Sequence, residues 1–173
     1  MKAPRKTVRR PSSVEQRLYE QWREFVERSH AALDKEDDLA LEAITQKFRD
    51  QVRKAAASGV ETSITWYSLG MWTWDNDDRI VCFGRALRSL AKEEVKNPAT
   101  DALGQWTYVH YHALCRFEIA RALAAEGRPA DAIAFLEDAL PYARTAEDMP
   151  VHGDELEGNL EGRIAGELML LAA

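Results

Sequence analysis

From Ser13 onward the apolar positions recur with a helical period. Leu18, Trp22, Phe25, Val26 and Leu33 are separated by three, four and seven residues, which places them on one face of a helix. Ser12 or Ser13, with Glu15 or Gln16 three residues on, supplies the start signal. The run Asp34-Lys35-Glu36-Asp37-Asp38 interrupts the pattern. Leu41, Ile44, Phe48 and Val52 then restart it, and Ser58-Gly59 ends it, so the first two helices are predicted to form a hairpin. A third helix is predicted over 62–74, up to the acidic turn Asp75-Asn76-Asp77-Asp78. The fourth runs from that turn to Asn97-Pro98, where proline biases the residue before it out of the helical region. A fifth opens near Thr100-Asp101 and continues to Glu126-Gly127, with Gly127 as the left-handed stop. Pro129, preset for a first helical turn, opens the sixth. Pro141 should kink or shorten it. Pro150 and Gly153 set off a seventh helix over 154–171. No segment alternates like a strand, so the fold class is all-α.

Composition narrows this picture. With 173 residues, 46% apolar and 30% charged, the chain is expected to bury a core of its own as a single globular domain over 14–173. No stretch reaches the roughly 18 apolar residues of a membrane span, so no membrane role is expected. Cys82 and Cys115 are too few for a disulfide scaffold or a four-cysteine zinc site, and they fit a reduced, cytoplasmic setting.

Charge divides the chain unevenly. Residues 1–13 hold Lys2, Arg5, Lys6, Arg9 and Arg10 and no acid, whereas the remainder has 18 basic groups against 29 acidic ones. With Pro4, Pro11 and only Val8 as a sizeable apolar residue after Met1, this basic tail is expected to be disordered. It has neither the apolar run of a secretory signal nor the helix of a mitochondrial presequence. Five charges on such an arm would give weak, salt-sensitive, sequence-blind contact with phosphates, so nucleic acid is not the expected partner. Arg9-Arg10-Pro11-Ser12 also matches a basophilic kinase site.

An internal repeat refines the fold. The segment from Arg116 to Ile133, continued by Leu136, Ala139 and Leu140, has large apolar residues at Ile119 and Leu123, small ones at Ala120, Ala132 and Ala139, and Gly127 at its turn. Fifty residues earlier stand Trp66-Tyr67-Ser68-Leu69-Gly70, then Cys82, Phe83, Ala86, Ser89 and Leu90. Gly70 pairs with Ala120, Cys82 with Ala132 and Ser89 with Ala139. Two helices approach closely where small side chains face each other and bulky neighbours fill the gaps. The spacing, with its W-x-x-L-G opening, resembles the tetratricopeptide repeat, over about residues 63–92 and 113–142. It departs from that family in an offset of 50 rather than about 34, in Cys82 and Ser89 where alanines are usual, and in lacking a closing proline near Glu94. The resemblance implies three antiparallel helical hairpins in a right-handed array, plus a C-terminal capping helix.

Candidate chemistry is sparse. His112 and Cys115 share a face of the fifth helix and could supply two zinc ligands, but His110 points about 200° away from His112 and no further ligand stands nearby. No H-E-x-x-H pattern, phosphate-cradling glycine loop or G-x-S-x-G elbow occurs. No catalytic residue, metal or cofactor is therefore expected.

Binding is the expected activity. If Trp66, Leu69 and Gly70 pack inward as the resemblance implies, Ile64, Tyr67, Met71 and Trp74 fall on the groove-lining face. In the next hairpin that face carries His110, Leu114, Phe117 and Arg121. Together they make an aromatic surface with one cation, suited to an apolar peptide or helix of a protein partner, with acidic rims that steer a basic one. Tetratricopeptide proteins that grip acidic tails use Lys and Asn where Tyr67, Met71, Phe117 and Arg121 stand here, which argues against a carboxylate clamp. In the last helix Gly158, Gly162 and Gly166 recur every four residues, a stripe that expects compensation from close backbone approach, either to the sixth helix or across a homodimer seam. The sequence thus describes a non-catalytic adaptor or chaperone-like module. Its alternatives are a toxin-neutralising immunity protein or secretion chaperone, and a regulatory protein whose basic tail meets nucleic acid.

Overall fold

The computed structural model describes residues 13–149 and 159–172, which fold as seven α-helices with no strand among the described residues. The basic tail, Pro150, Gly153 and the stretch 154–158 lie outside them. The chain divides into two compact units between Glu61 and Thr62. Sequence patterning draws no boundary there, because both flanks carry the same helical period.

The first unit is the expected hairpin of α1 (Ser13–Leu33) and α2 (Asp38–Ala57). Its apolar stripes bury Leu18, Phe25 and Ala32 of α1 with Leu41, Phe48, Val52 and Ala55 of α2. Phe25 and Phe48 stack with centroids 4.2 Å apart and planes 11° from parallel. In the turn, Asp37 Oδ1 accepts from the Ala40 amide at 2.9 Å, satisfying one of the donors that a helix start leaves open. Gly59, at φ 78°, follows the end of α2 in the left-handed conformation that glycine enters without steric cost.

The second unit contains α3 (Ser63–Met71), α4 (Asn76–Lys96), α5 (Ala102–Ala125), α6 (Pro129–Asp148) and α7 (Leu160–Ala172). Consecutive helices pack on one another, and α7 also reaches α5. Asp75 caps α4 through the Asp78 amide at 2.8 Å, and Asp101 caps α5 through that of Gly104 at 2.7 Å. Gly127 takes φ 70° between α5 and α6. The helix starts therefore follow from short polar side chains at the places where the apolar period restarts.

Three boundaries differ from expectation. The seventh helix starts at Leu160 and not at 154, because Asn159 takes φ 73° and caps it through the Gly162 amide. The third helix ends at Met71, short of Trp74. Thr73 Oγ1 donates to the Leu69 carbonyl at 2.7 Å, and the Thr73 amide turns to Gly70, so the side chain takes the carbonyl that a further helical turn would need. The sixth helix is not shortened at Pro141 and continues to Asp148. Pro141 and Glu137 are both exposed, on the solvent side of the helix, where loss of one N–H partner is least costly.

Small residues line the interior of this unit. Gly70, Cys82, Ser89, Ala120, Ala132 and Ala139 are all buried, among Leu69, Phe83, Leu90, Ile119, Leu123 and Leu136. No helix among the described residues is long and apolar enough to cross a membrane.

Candidate functional site

The surface expected to bind starts on α3. Tyr67 and Met71, four residues apart, share one helix face. Tyr67 is half-buried, 5.7 Å from the Phe83 ring, and meets Tyr111 of α5 edge-on at 5.0 Å and 85°. Tyr111 in turn meets His110 edge-on at 6.0 Å, and His110 stacks on Trp106 at 4.5 Å and 13°. A row of four part-exposed rings thus crosses from α3 to α5: Tyr67, Tyr111, His110 and Trp106. Such offset and edge-on pairs each add roughly 0.5–1.5 kcal/mol beyond burial, which fixes the rings in place.

Beyond Tyr67 the surface opens. Met71 is 47% exposed and Trp74 79% exposed. Because α3 stops at Met71, Trp74 stands on the connection to α4, held between the buried Thr73 and the capping Asp75, and not on the helix face assigned to it from spacing. Asp75, Asp77 and Asp78 follow directly. Asn76 Nδ2 donates to Glu126 Oε1 at 2.8 Å, which brings a fourth carboxylate from the turn before α6 to the same end of the unit.

The α5 half of the expected groove is corrected. Leu114 is 6% and Phe117 2% exposed, so neither can touch a partner. Part of the cover on Phe117 comes from downstream: Arg163 of α7, a helix that packs on α5, places its guanidinium 4.9 Å from the centre of the Phe117 ring. Arg121 remains exposed, near the same ring at 5.8 Å and beside Glu118. His110 keeps its place on the surface. Its neighbours there are Trp106 and Tyr111, which spacing did not single out, although Trp106 and His110 stand four apart like Tyr67 and Met71.

The glycine stripe has a local explanation in part. Asn159, at φ 73°, accepts from the Gly162 amide through Oδ1 at 2.8 Å, and a β-carbon on Gly162 would collide with that carboxamide. A β-carbon on Gly166 would meet nothing within 4 Å, so among the described residues no helix packs closely against it. Gly158 lies outside the described residues.

Two polar groupings on α5 complete the site region. Glu118, buried on a run of apolar residues, accepts from Arg79 of α4 at 2.8 Å and from Arg121 at 3.5 Å. An acid inside Phe117-Glu118-Ile119-Ala120 was its only sequence signal. About 200° round the helix from His110, the His112 ring lies 3.5 Å from Glu94 of α4 through Nε2 and stacks on Tyr142 of α6 at 5.0 Å. Burial, and then the charge of Arg116, hold the His112 pKa below its ordinary value, against the pull of Glu94. Cys115, offered with His112 as a metal pair, is buried, and burial pushes its thiol up to about 12, so it stays protonated. Among the described residues no three His, Cys, Asp or Glu side chains are grouped to hold a metal ion.

Comparison with protein-family models, with characterised proteins and with solved structures finds no match to this chain. What the site can do is therefore argued from its own residues.

Proposed function

We propose that the chain is a non-catalytic protein-interaction module that holds a short apolar and basic segment of a partner against Tyr67, Met71 and Trp74. The observation that carries this reading is the exposure of Met71, on the same helix face as Tyr67 at the end of a row of aromatic rings, and of Trp74 three residues further on. Large exposed apolar side chains of this kind cost solubility, and buried tryptophan and tyrosine anchors dominate binding energy at interfaces. Asp75, Asp77, Asp78 and Glu126 stand at the same end, and they favour a partner with Lys or Arg next to its apolar anchor. The half-buried Trp106 and His110 extend the platform along α5.

The helices beneath this surface are read as two tetratricopeptide-like hairpins, α3–α4 and α5–α6, with α7 as the cap, and α1–α2 is a separate hairpin in the first unit. What supports the reading is the burial of all six paired small residues and the seating of Phe83 against Gly70. A masking role, as in an immunity protein or secretion chaperone, would use the same surface.

The test is a set of synthetic peptides carrying Leu, Phe or Trp anchors flanked by Lys/Arg, by Ser or by Asp/Glu, titrated against the full chain. Basic-flanked peptides are expected to bind at least tenfold more tightly than acidic-flanked ones, less so at high salt. Met71→Ala/Trp74→Ala should lose that binding with unchanged thermal stability. Equal binding by wild type and variant, or preference for acidic flanks, overturns the reading.

A further inference from the structure

The grouping around His112 joins three helices and invites a closer look at its protons. Arg116 Nη1 lies 3.1 Å from His112 Nδ1 and donates to the His112 carbonyl at 2.9 Å. A guanidinium has donors only, so the ring nitrogen facing it must be an acceptor, and the ring proton of neutral His112 belongs on Nε2. That nitrogen faces Glu94 Oε2 at 3.5 Å. Neutral imidazole in this one tautomer therefore suits both neighbours. The same guanidinium lies over the Tyr142 ring at 4.6 Å from its centre, and His112 stacks on that ring as well, so α5 grips α6 through a cation–π contact and a stacked pair. Glu94 from α4, Tyr142 from α6 and Arg116 on α5 itself are the groups that bear on the ring. Tyr108, one turn back on α5, donates to the Asn97 carbonyl at 3.1 Å and faces Glu93 and Glu94.

A second proton changes every one of these relations. It must go on Nδ1, where it points a new donor at a group that can only donate, and it sets two cations side by side. At the same time it turns the contact with Glu94 into a full ion pair. We propose that His112 is a proton-operated clasp: neutral, it accepts from Arg116 and keeps that guanidinium on Tyr142 of α6; protonated, it lets Arg116 go and closes on Glu94 of α4. Acidification thus loosens the hold of Arg116 on α6 and strengthens the existing contact between α5 and Glu94 of α4. The two states differ in how firmly α5 is tied to each neighbouring helix, and a proton selects between them through its different interactions with Glu94 and Arg116.

Nuclear magnetic resonance on the full chain tests this directly. The nitrogen shifts of neutral His112 should show Nε2 protonated and Nδ1 bare. Its titration midpoint should lie below that of a free imidazole, higher in Arg116→Gln and lower in Glu94→Gln. The ring signals of Tyr142 should move with the same midpoint as His112, and this movement should vanish in His112→Gln. Arg116→Lys, which keeps the charge, guards against a variant that fails to fold and should retain a midpoint below that of Arg116→Gln. A proton on Nδ1 at neutral pH, a midpoint unmoved by Arg116→Gln, or Tyr142 signals that ignore the titration of His112 overturns the clasp.

Discussion

A β-carbon placed on Gly70 would stand 2.9 Å from Cε1 and Cζ of Phe83, closer than carbon atoms in folded proteins approach. Phe83 is fully buried, so its ring can move only by displacing other core side chains. Gly70→Ala should therefore destabilise the second unit by about 1–2 kcal/mol, the overpacking cost less the gain in helix propensity. Gly84, within α4, has nothing within 4 Å of such a carbon, so Gly84→Ala should stabilise by up to about 1 kcal/mol. Urea denaturation of both variants checks the pair, and effects of equal sign would refute the packing argument.

Glu118 and Arg79 form a buried link between α5 and α4. Glu118→Ala removes the carboxylate and leaves the guanidinium half-buried without it, a loss of about 3 kcal/mol. Combining Glu118→Leu with Arg79→Met should recover most of that, because neither charge then remains to be solvated. A double variant as unstable as the single one would place the cost in packing instead.

Cys115 is expected to resist thiol reagents in the native protein. Only the thiolate attacks, and with the pKa pushed up to about 12 it is scarce at neutral pH, behind a buried position. Mass spectrometry after iodoacetamide treatment should find Cys115 unmodified until denaturant is added. Rapid native labelling would show the α5 interior to be open.

The depressed pKa of His112 makes stability depend on pH with a definite sign. Below about pH 6.5 the unfolded chain takes the proton while native His112 still resists it, so stability falls with acidification until the native ring is protonated too. Tyr108 acts at the other limit. Burial, helped by Glu93 and Glu94, raises its pKa, so above about pH 10 the unfolded chain ionises first and stability falls again. Subtracting the stability profile of His112→Gln from that of the wild type isolates the acid limb, and a flat difference would contradict the assignment.

These residues also show what the sequence disclosed. Helix starts were legible because Asp37, Asp75 and Asp101 precede renewed apolar periods, and each caps its helix. The burial of Gly70 was legible from its place among the small residues of the repeat, but the ring that fills the space against it, Phe83, was not singled out as its neighbour. Nor was the fate of Phe117 legible. Its burial involves α7, which packs on α5 and sets Arg163 over the Phe117 ring, and a helical period orders residues within one helix and says little about which later helix covers it. The end of α3 was missed for a different reason: one hydroxyl, that of Thr73, competes successfully for a backbone carbonyl. Trp106 and Tyr111 joined the surface through ring contacts with α3 and α5 that only the folded chain creates.

The start of α3 has a consequence for how that helix is held in the fold. Thr62 provides no side-chain cap, and the Ser63 amide and hydroxyl instead donate to the carboxylate of Glu93, at 2.8 and 2.6 Å, across thirty residues of sequence. A nine-residue helix is too short to persist alone in water, since its nucleation cost is spread over too few bonds. It thus borrows its first turn from the last turns of α4. The segment bearing Tyr67 and Met71 therefore depends for its helical form on the far end of α4, so the surface proposed to meet a partner is coupled to the closing of α4 rather than to its own local sequence.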